Sequence, residues 1–145
     1  MPANDRRRLL ETVQQRLEAR GEILEAYVFG STARSAGHPH SDLDVAVFVE
    51  PDRLPDSPFG YAAALTTDLI AALHRDDVDV VVLNQASPLL YQRVLRDGVR
   101  VMSRDLAATT TREARALSRY CDYVPHLRKI ERAHAARIER GSFGR

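Results

Sequence analysis

The sequence predicts an α/β fold of the α+β kind: a small mixed sheet of about four strands packed with helices. Two observations predict it. Short β-rich runs at 23–29, 43–49, 78–83 and 99–103 alternate with longer stretches whose apolar residues recur at three- and four-residue spacing. The run 43–49 is also apolar on both faces beyond its first residues, as a strand covered on both sides is. The resulting order is helix, strand, strand, helix, strand, helix, strand, helix, which calls for a sheet with helices packed on it.

Each element has its own reason. Over 6–20, Leu9, Leu10, Val13 and Leu17 form one helical stripe, and Gly21 offers a stop. Residues 23–29 are apolar with Tyr, Val and Phe, a strand ending at Gly30. The second strand, 43–49, is followed by the turn-rich EPDRLPDSP. A helix over 59–75 buries Ala62, Leu65, Leu69, Ile70 and Leu73, and VDVVVL over 78–83 reads as a third core strand. Pro88 suits the first turn of a helix over 88–97 that Gly98 stops, and VRVMS reads as an edge strand. From 106 to 140 the pattern is helical again. Leu117, Tyr120, Cys121, Val124, Leu127 and Ile130 form its expected core stripe, and Pro125 is expected to kink or split it.

The 145 residues suit one domain, 1–145, with a core at about 22–104 and a C-terminal helical segment at about 105–140. Hydrophobic residues at 44% and charged residues at 28% describe a globular chain rather than a disordered one. A net charge of +1 announces neither a nucleic-acid binder nor a membrane binder. No apolar run approaches the roughly 18 residues that span a bilayer, and no apolar stretch follows the basic N-terminus as in a secretory signal. The single Cys121 excludes an intrachain disulfide and agrees with a reducing compartment. A cytoplasmic location is the expectation.

Chemistry concentrates in YVFGSTARSAGHPHSDLDVAVFV, residues 27–49. Asp42 and Asp44 lie two apart on a strand, hence on one face with Cα atoms roughly 6–7 Å apart. At an effective dielectric near 20 such charges repel by about 2–3 kcal/mol, which invites a cation between them. Gly30 permits close backbone approach to a phosphate, Ser31 adds a hydroxyl, and the helix formers that follow suggest free N–H groups aimed at an anion. Arg34, one turn on, is placed to hold phosphate oxygens. A plain strand-to-helix turn and a solvated strand end are the competing readings. Asp79 adds a third carboxylate inside an apolar strand, where a buried unpaired charge costs several kcal/mol. It needs either a shared metal or a salt bridge to an arginine. Three hard oxygen ligands favour Mg²⁺ or Mn²⁺ over zinc, and two such ions suit phosphoryl-group transfer. His38 and His40 read as solvated loop residues, with phosphate contact or proton transfer as the alternative.

Gly30-Ser31, ten intervening residues, then Asp42-Leu43-Asp44 resembles the nucleotidyltransferase signature of the DNA polymerase β-like superfamily. With VDVVVLN downstream, the stretch from about 26 to 100 is similar to the minimal nucleotidyltransferase (MNT) family. Members of that family often pair with HEPN-domain proteins as toxin–antitoxin modules. The resemblance implies the polymerase β-like fold, triphosphate binding by Gly30 and Ser31, and two Mg²⁺ ions on Asp42 and Asp44. It also implies that Asp79 completes the site and helps activate the acceptor hydroxyl. Arg34 matches the Arg of the family's ARG element, and Ser35 stands where that element usually has Gly.

The expected activity is transfer of AMP from ATP to a hydroxyl of a macromolecular acceptor. So short a chain leaves little room for an acceptor domain, and it lacks the basic groove a polymerase needs. By resemblance the acceptor is a HEPN ribonuclease toxin, neutralised by AMPylation within a hetero-oligomer. No membrane and no direct nucleic-acid binding are expected. The alternatives are an antitoxin acting by contact alone and a small-molecule transferase of the aminoglycoside-modifying type.

Overall fold

The computed structural model describes residues 2–30 and 42–139. The elements are α1 (Ala3–Glu18), β1 (Ile23–Phe29), β2 (Leu43–Val49), α2 (Pro58–Leu73), β3 (Val78–Val82), α3 (Pro88–Asp97), β4 (Val99–Ser103) and α4 (Leu106–Glu139). Single 3₁₀ turns occupy Pro51–Arg53 and Leu83–Gln85. The predicted order of helices and strands is the observed one.

The sheet runs β3-β2-β1-β4. β1 pairs antiparallel with β2 and β4, whereas β2 and β3 are parallel and joined through α2. One face carries Ile23, Ala26, Val28, Leu43, Val45, Val47 and Val49 against Val13 and Leu17 of α1 and Leu65 and Leu69 of α2. All of these are fully buried, each Val, Leu and Ile contributing about 1.5–3 kcal/mol of transfer free energy. The other face is smaller. There Tyr27 and Ala46 meet Tyr91 and Val94 of α3 and Ala116 of α4, with Phe29, Phe48 and Val81 partly covered.

Local chemistry fixes the helix starts. Ser57 and Ser87 each precede a proline and accept a hydrogen bond from the N–H three residues on, at Gly60 and Leu90. Asp105 does the same for Ala108 at the start of α4. α2 ends at His74 in the left-handed conformation, a place where a short polar side chain or glycine is commoner.

Two expectations are corrected. β3 is an edge strand, not a core strand, so Asp79 is exposed rather than buried, and the argument that its charge must be neutralised fails. The physical reason is position: Val78 and Val80 face the core, while Asp79 points to the opposite face at the sheet margin, short of the cover that Val81 receives. Along α4 the expected stripe is likewise not core. Only Thr109 and Ala116 are buried, Cys121 is exposed, Tyr120 and Tyr123 are half-exposed, and Leu117 and Ile130 are 44% and 48% accessible. The helix simply outruns the sheet that would cover it. It continues through Pro125 as one element, so the proline does not split it.

One polar cluster ties α4 down. Glu25 of β1 is fully buried. Arg112 donates to both of its oxygens, Nε to Oε2 at 2.7 Å and an NH2 to Oε1 at 2.6 Å. Thr109 donates to Oε1 at 3.0 Å and meets Ser103 at 2.8 Å. The Arg112 guanidinium also lies 4.9 Å from the Phe48 ring centre, a cation–π distance.

Candidate active site

The parallel pairing of β2 and β3 sets Asp44 directly beside Asp79. In-register neighbours on adjacent strands are about 4.8 Å apart and point to the same face. Asp42, two residues before Asp44, belongs to that face by alternation. On the other side of Asp44 stands Phe29, its antiparallel partner on β1. The backbone therefore delivers three carboxylates to one corner of the α3/α4 face, at the end where β2 and β3 begin.

Gly30 closes this corner. It has φ +77°, and a Cβ there would collide with Oδ2 of Asp44. Only glycine combines that dihedral with that contact. The Asp44 carboxyl is pushed above the usual carboxylate range, first by burial and then by the charges of Asp79 and Asp42. Mutual repulsion of this kind is what a bound cation relieves.

Arg75 is a neighbour that sequence reasoning missed. It makes a two-pronged ion pair with Asp77, at 2.5 and 2.6 Å, and its field reaches Asp42. The Asp77 carbonyl also accepts the Leu43 N–H at 2.8 Å, extending the β2–β3 ladder to the threshold of Asp42. Two loop-like residues before a strand carried no signal for this.

Among the described residues no three Asp, Glu, His or Cys side chains are gathered closely enough to hold a metal ion. What the backbone supplies is the common face and the register. The donor chemistry fits a hard divalent cation, because all three groups are carboxylates and the central one is raised first by burial and then by the charges of the other two. Ser31, Arg34, His38 and His40 lie outside the described residues.

The fold has counterparts among known proteins. A family model described as polymerase beta, nucleotidyltransferase matches residues 11–107. A search of curated proteins found no match. Among solved structures, the chain is similar to a toxin–antitoxin structure with AMP-PNP, at 24% identity and TM-score 0.68, covering 90% of this chain and 98% of that one. It is similar to the complex of a tri-AMPylated Shewanella oneidensis HEPN toxin with its MNT antitoxin, at 23% identity and TM-score 0.65, covering 92% and 98%. It is also similar to the toxin–antitoxin pair MntA–HepT, at 22% identity and TM-score 0.64, with the same coverage. At these identities the likeness is one of fold.

Proposed function

The chain belongs to the polymerase β nucleotidyltransferase family, and from that premise we propose that it moves AMP from ATP to a hydroxyl of a HEPN-domain toxin and so acts as its antitoxin. The observation that carries the reading is the register of Asp44 against Asp79, with Asp42 on the same face and Gly30 packed against the Asp44 carboxylate. Among the folds it resembles, one complex contains AMP-PNP and another an AMPylated HEPN toxin with its antitoxin. Those facts belong to those proteins; here they direct the choice of nucleotide and acceptor.

Gly30 and Ser31 bind the triphosphate, the glycine because it lets the backbone close on phosphate oxygens. Arg34 holds phosphate charge through its guanidinium. Asp42, Asp44 and Asp79 would hold two Mg²⁺ ions (or Mn²⁺), which supply charge neutralisation at the transferring phosphoryl group and at the attacking and leaving oxygens. Asp79, exposed as Asp42 also is, takes up the proton of the acceptor hydroxyl. The acceptor oxygen forms a bond to the α-phosphorus while the bond to the bridging oxygen breaks, so AMP joins the partner and pyrophosphate leaves.

Asp42 and Asp79 are exposed, which suits an acceptor that arrives with its own surface. None of the described helices is long and apolar enough to cross a membrane, and the reading places the protein in the cytoplasm, where ATP and Mg²⁺ are abundant. The test mixes the purified chain, a HEPN partner, ATP and Mg²⁺, and records intact masses of both chains with Asp44→Asn as control. One or more AMP additions on the partner, absent with Asp44→Asn, is the expected result. A stable complex without any mass change would replace the reading with antitoxin action by contact alone. ATP consumption with neither chain modified would point to a small-molecule acceptor instead.

A further inference from the structure

At the other end of the strands a groove of about 560 Å³ opens between the sheet, α3 and α4. Its walls include Phe48, Leu83, Tyr91, Arg115, Ser118 and Arg119. Phe48 is four residues beyond Asp44 on β2, about 13 Å along the strand. None of the three carboxylates lines the groove.

Some of the wall is already committed. Arg112 is held by Glu25. The Asn84 amide brackets Val49, accepting from its N–H at 2.9 Å and donating to its carbonyl at 2.8 Å. Arg115 and Arg119 are different. They stand four apart on α4, hence on one helical face, and among the described residues neither forms an ion pair. Arg119 instead lies 5.9 Å from the centre of the Tyr91 ring. Of the acids near Tyr91, Glu25 is held by Arg112 and Glu113 by Arg100, and Asp122, one turn beyond Arg119, forms no ion pair with either arginine. The groove thus holds two guanidinium groups outside any ion pair beside the apolar side chains of Phe48, Leu83 and Tyr91. Tyr91 is 2% exposed, and its hydroxyl is buried with no hydrogen-bond partner.

We propose that this groove is a second ligand site that takes a free nucleoside monophosphate, separate from the carboxylate corner and independent of the transfer reading. Its volume lies within the roughly 300–1,000 Å³ of small-molecule sites. The apolar part of the lining suits a base, and two guanidinium groups match the near −2 charge of a phosphomonoester and hold it through charge-assisted hydrogen bonds. Ser118 adds a neutral hydroxyl on the same helix. A triphosphate carries more negative charge than this pair balances, and inorganic phosphate leaves the apolar wall uncovered.

The test titrates AMP into the full-length chain carrying Asp44→Asn, in EDTA, followed by calorimetry and by amide shifts in ¹⁵N spectra. The same titration is made with Arg115→Ala and Arg119→Ala added; both residues are exposed, and unchanged circular dichroism checks that the fold is kept. Adenosine and inorganic phosphate are run as partial ligands. The expected result is AMP binding without metal, shifts at residues 83–94 and 112–119, and affinity lower by about tenfold or more in the arginine variant. Adenosine and phosphate should each bind more weakly than AMP. Unchanged affinity in the arginine variant would overturn the proposal, as would shifts confined to residues 30–44 or no binding at millimolar AMP. Neither arginine belongs to the carboxylate corner, so failure here leaves the transfer reading standing.

Discussion

Replacing Arg112 with methionine should strip the fold of several kilocalories and loosen α4. Glu25 is fully buried on the sheet, and two of the three hydrogen bonds that its carboxylate accepts from side chains come from Arg112. Thr109 supplies only one neutral donor in compensation. Removing one partner of a buried pair costs about 3–5 kcal/mol, because the remaining charge stays desolvated. For a chain of 145 residues, an unfolding entropy of about 2.1 cal/mol/K per residue gives roughly 0.3 kcal/mol/K. The expected fall in Tm is then about 10–16 °C. Thermal melts followed at 222 nm measure it directly. A second variant isolates the cause: Glu25→Leu added to Arg112→Met removes the stranded charge and should recover most of the loss. A fall of less than about 3 °C for Arg112→Met, or no recovery in the double variant, would refute the reasoning. The first outcome would mean that Glu25 is hydrated in solution, the second that the loss comes from packing of the arginine stem.

Gly30→Ala should abolish transfer to the partner and cost about 1–3 kcal/mol of stability, since it combines a positive φ with a collision against Asp44; urea unfolding and the intact-mass assay report the two effects. Asp44 should make stability fall with pH in metal-free buffer. Its folded-state pKa is raised, mainly by burial, so as pH climbs above about 4 the unfolded chain releases this proton before the folded one does. The Tm of the parent chain relative to Asp44→Asn should therefore drop over that range in EDTA, and a constant difference would contradict it. Tyr27→Phe should be neutral or stabilising by up to about 1 kcal/mol, because the Tyr27 hydroxyl is buried without a partner and burial holds it far above its ordinary pKa. A loss beyond about 1 kcal/mol in urea would show that the hydroxyl has a partner in solution.

Much of the fold was legible because each element announced itself locally. The ranges of β1, β2, α3 and β4 read from periodicity and from Gly and Pro punctuation are the observed ones. Asp42 and Asp44 stood out by their strand spacing and Asp79 as a charge in an apolar run, but the register that sets Asp79 beside Asp44 was not legible in either. Nor was the burial of Asp79, since VDVVVL looks alike at the centre or the margin of a sheet, and only strand order tells them apart. The apolar spacing of α4 misled for a related reason. A periodic stripe predicts a face, not a partner for that face, and the second half of α4 has no sheet beneath it. Glu25 and Arg112 are 87 residues apart, a long-range pairing that local patterns do not encode. Arg75 was passed over because its role comes from the neighbouring strand.

The β2–β3 ladder behaves as a ruler clamped at both ends. At one end the Leu43 N–H bonds the Asp77 carbonyl; at the other the Asn84 side chain grips both backbone groups of Val49. A slip of one residue along that ruler would turn Asp79 away from Asp44 to the opposite face, and a slip of two would carry it about 6.6 Å off, with most of the apolar packing kept. The alignment of the carboxylates is thus stored in the peptide backbone rather than in side-chain packing. Drift at Asn84, remote from the reacting groups, is therefore a route by which descendants of this chain would keep their shape and lose their chemistry.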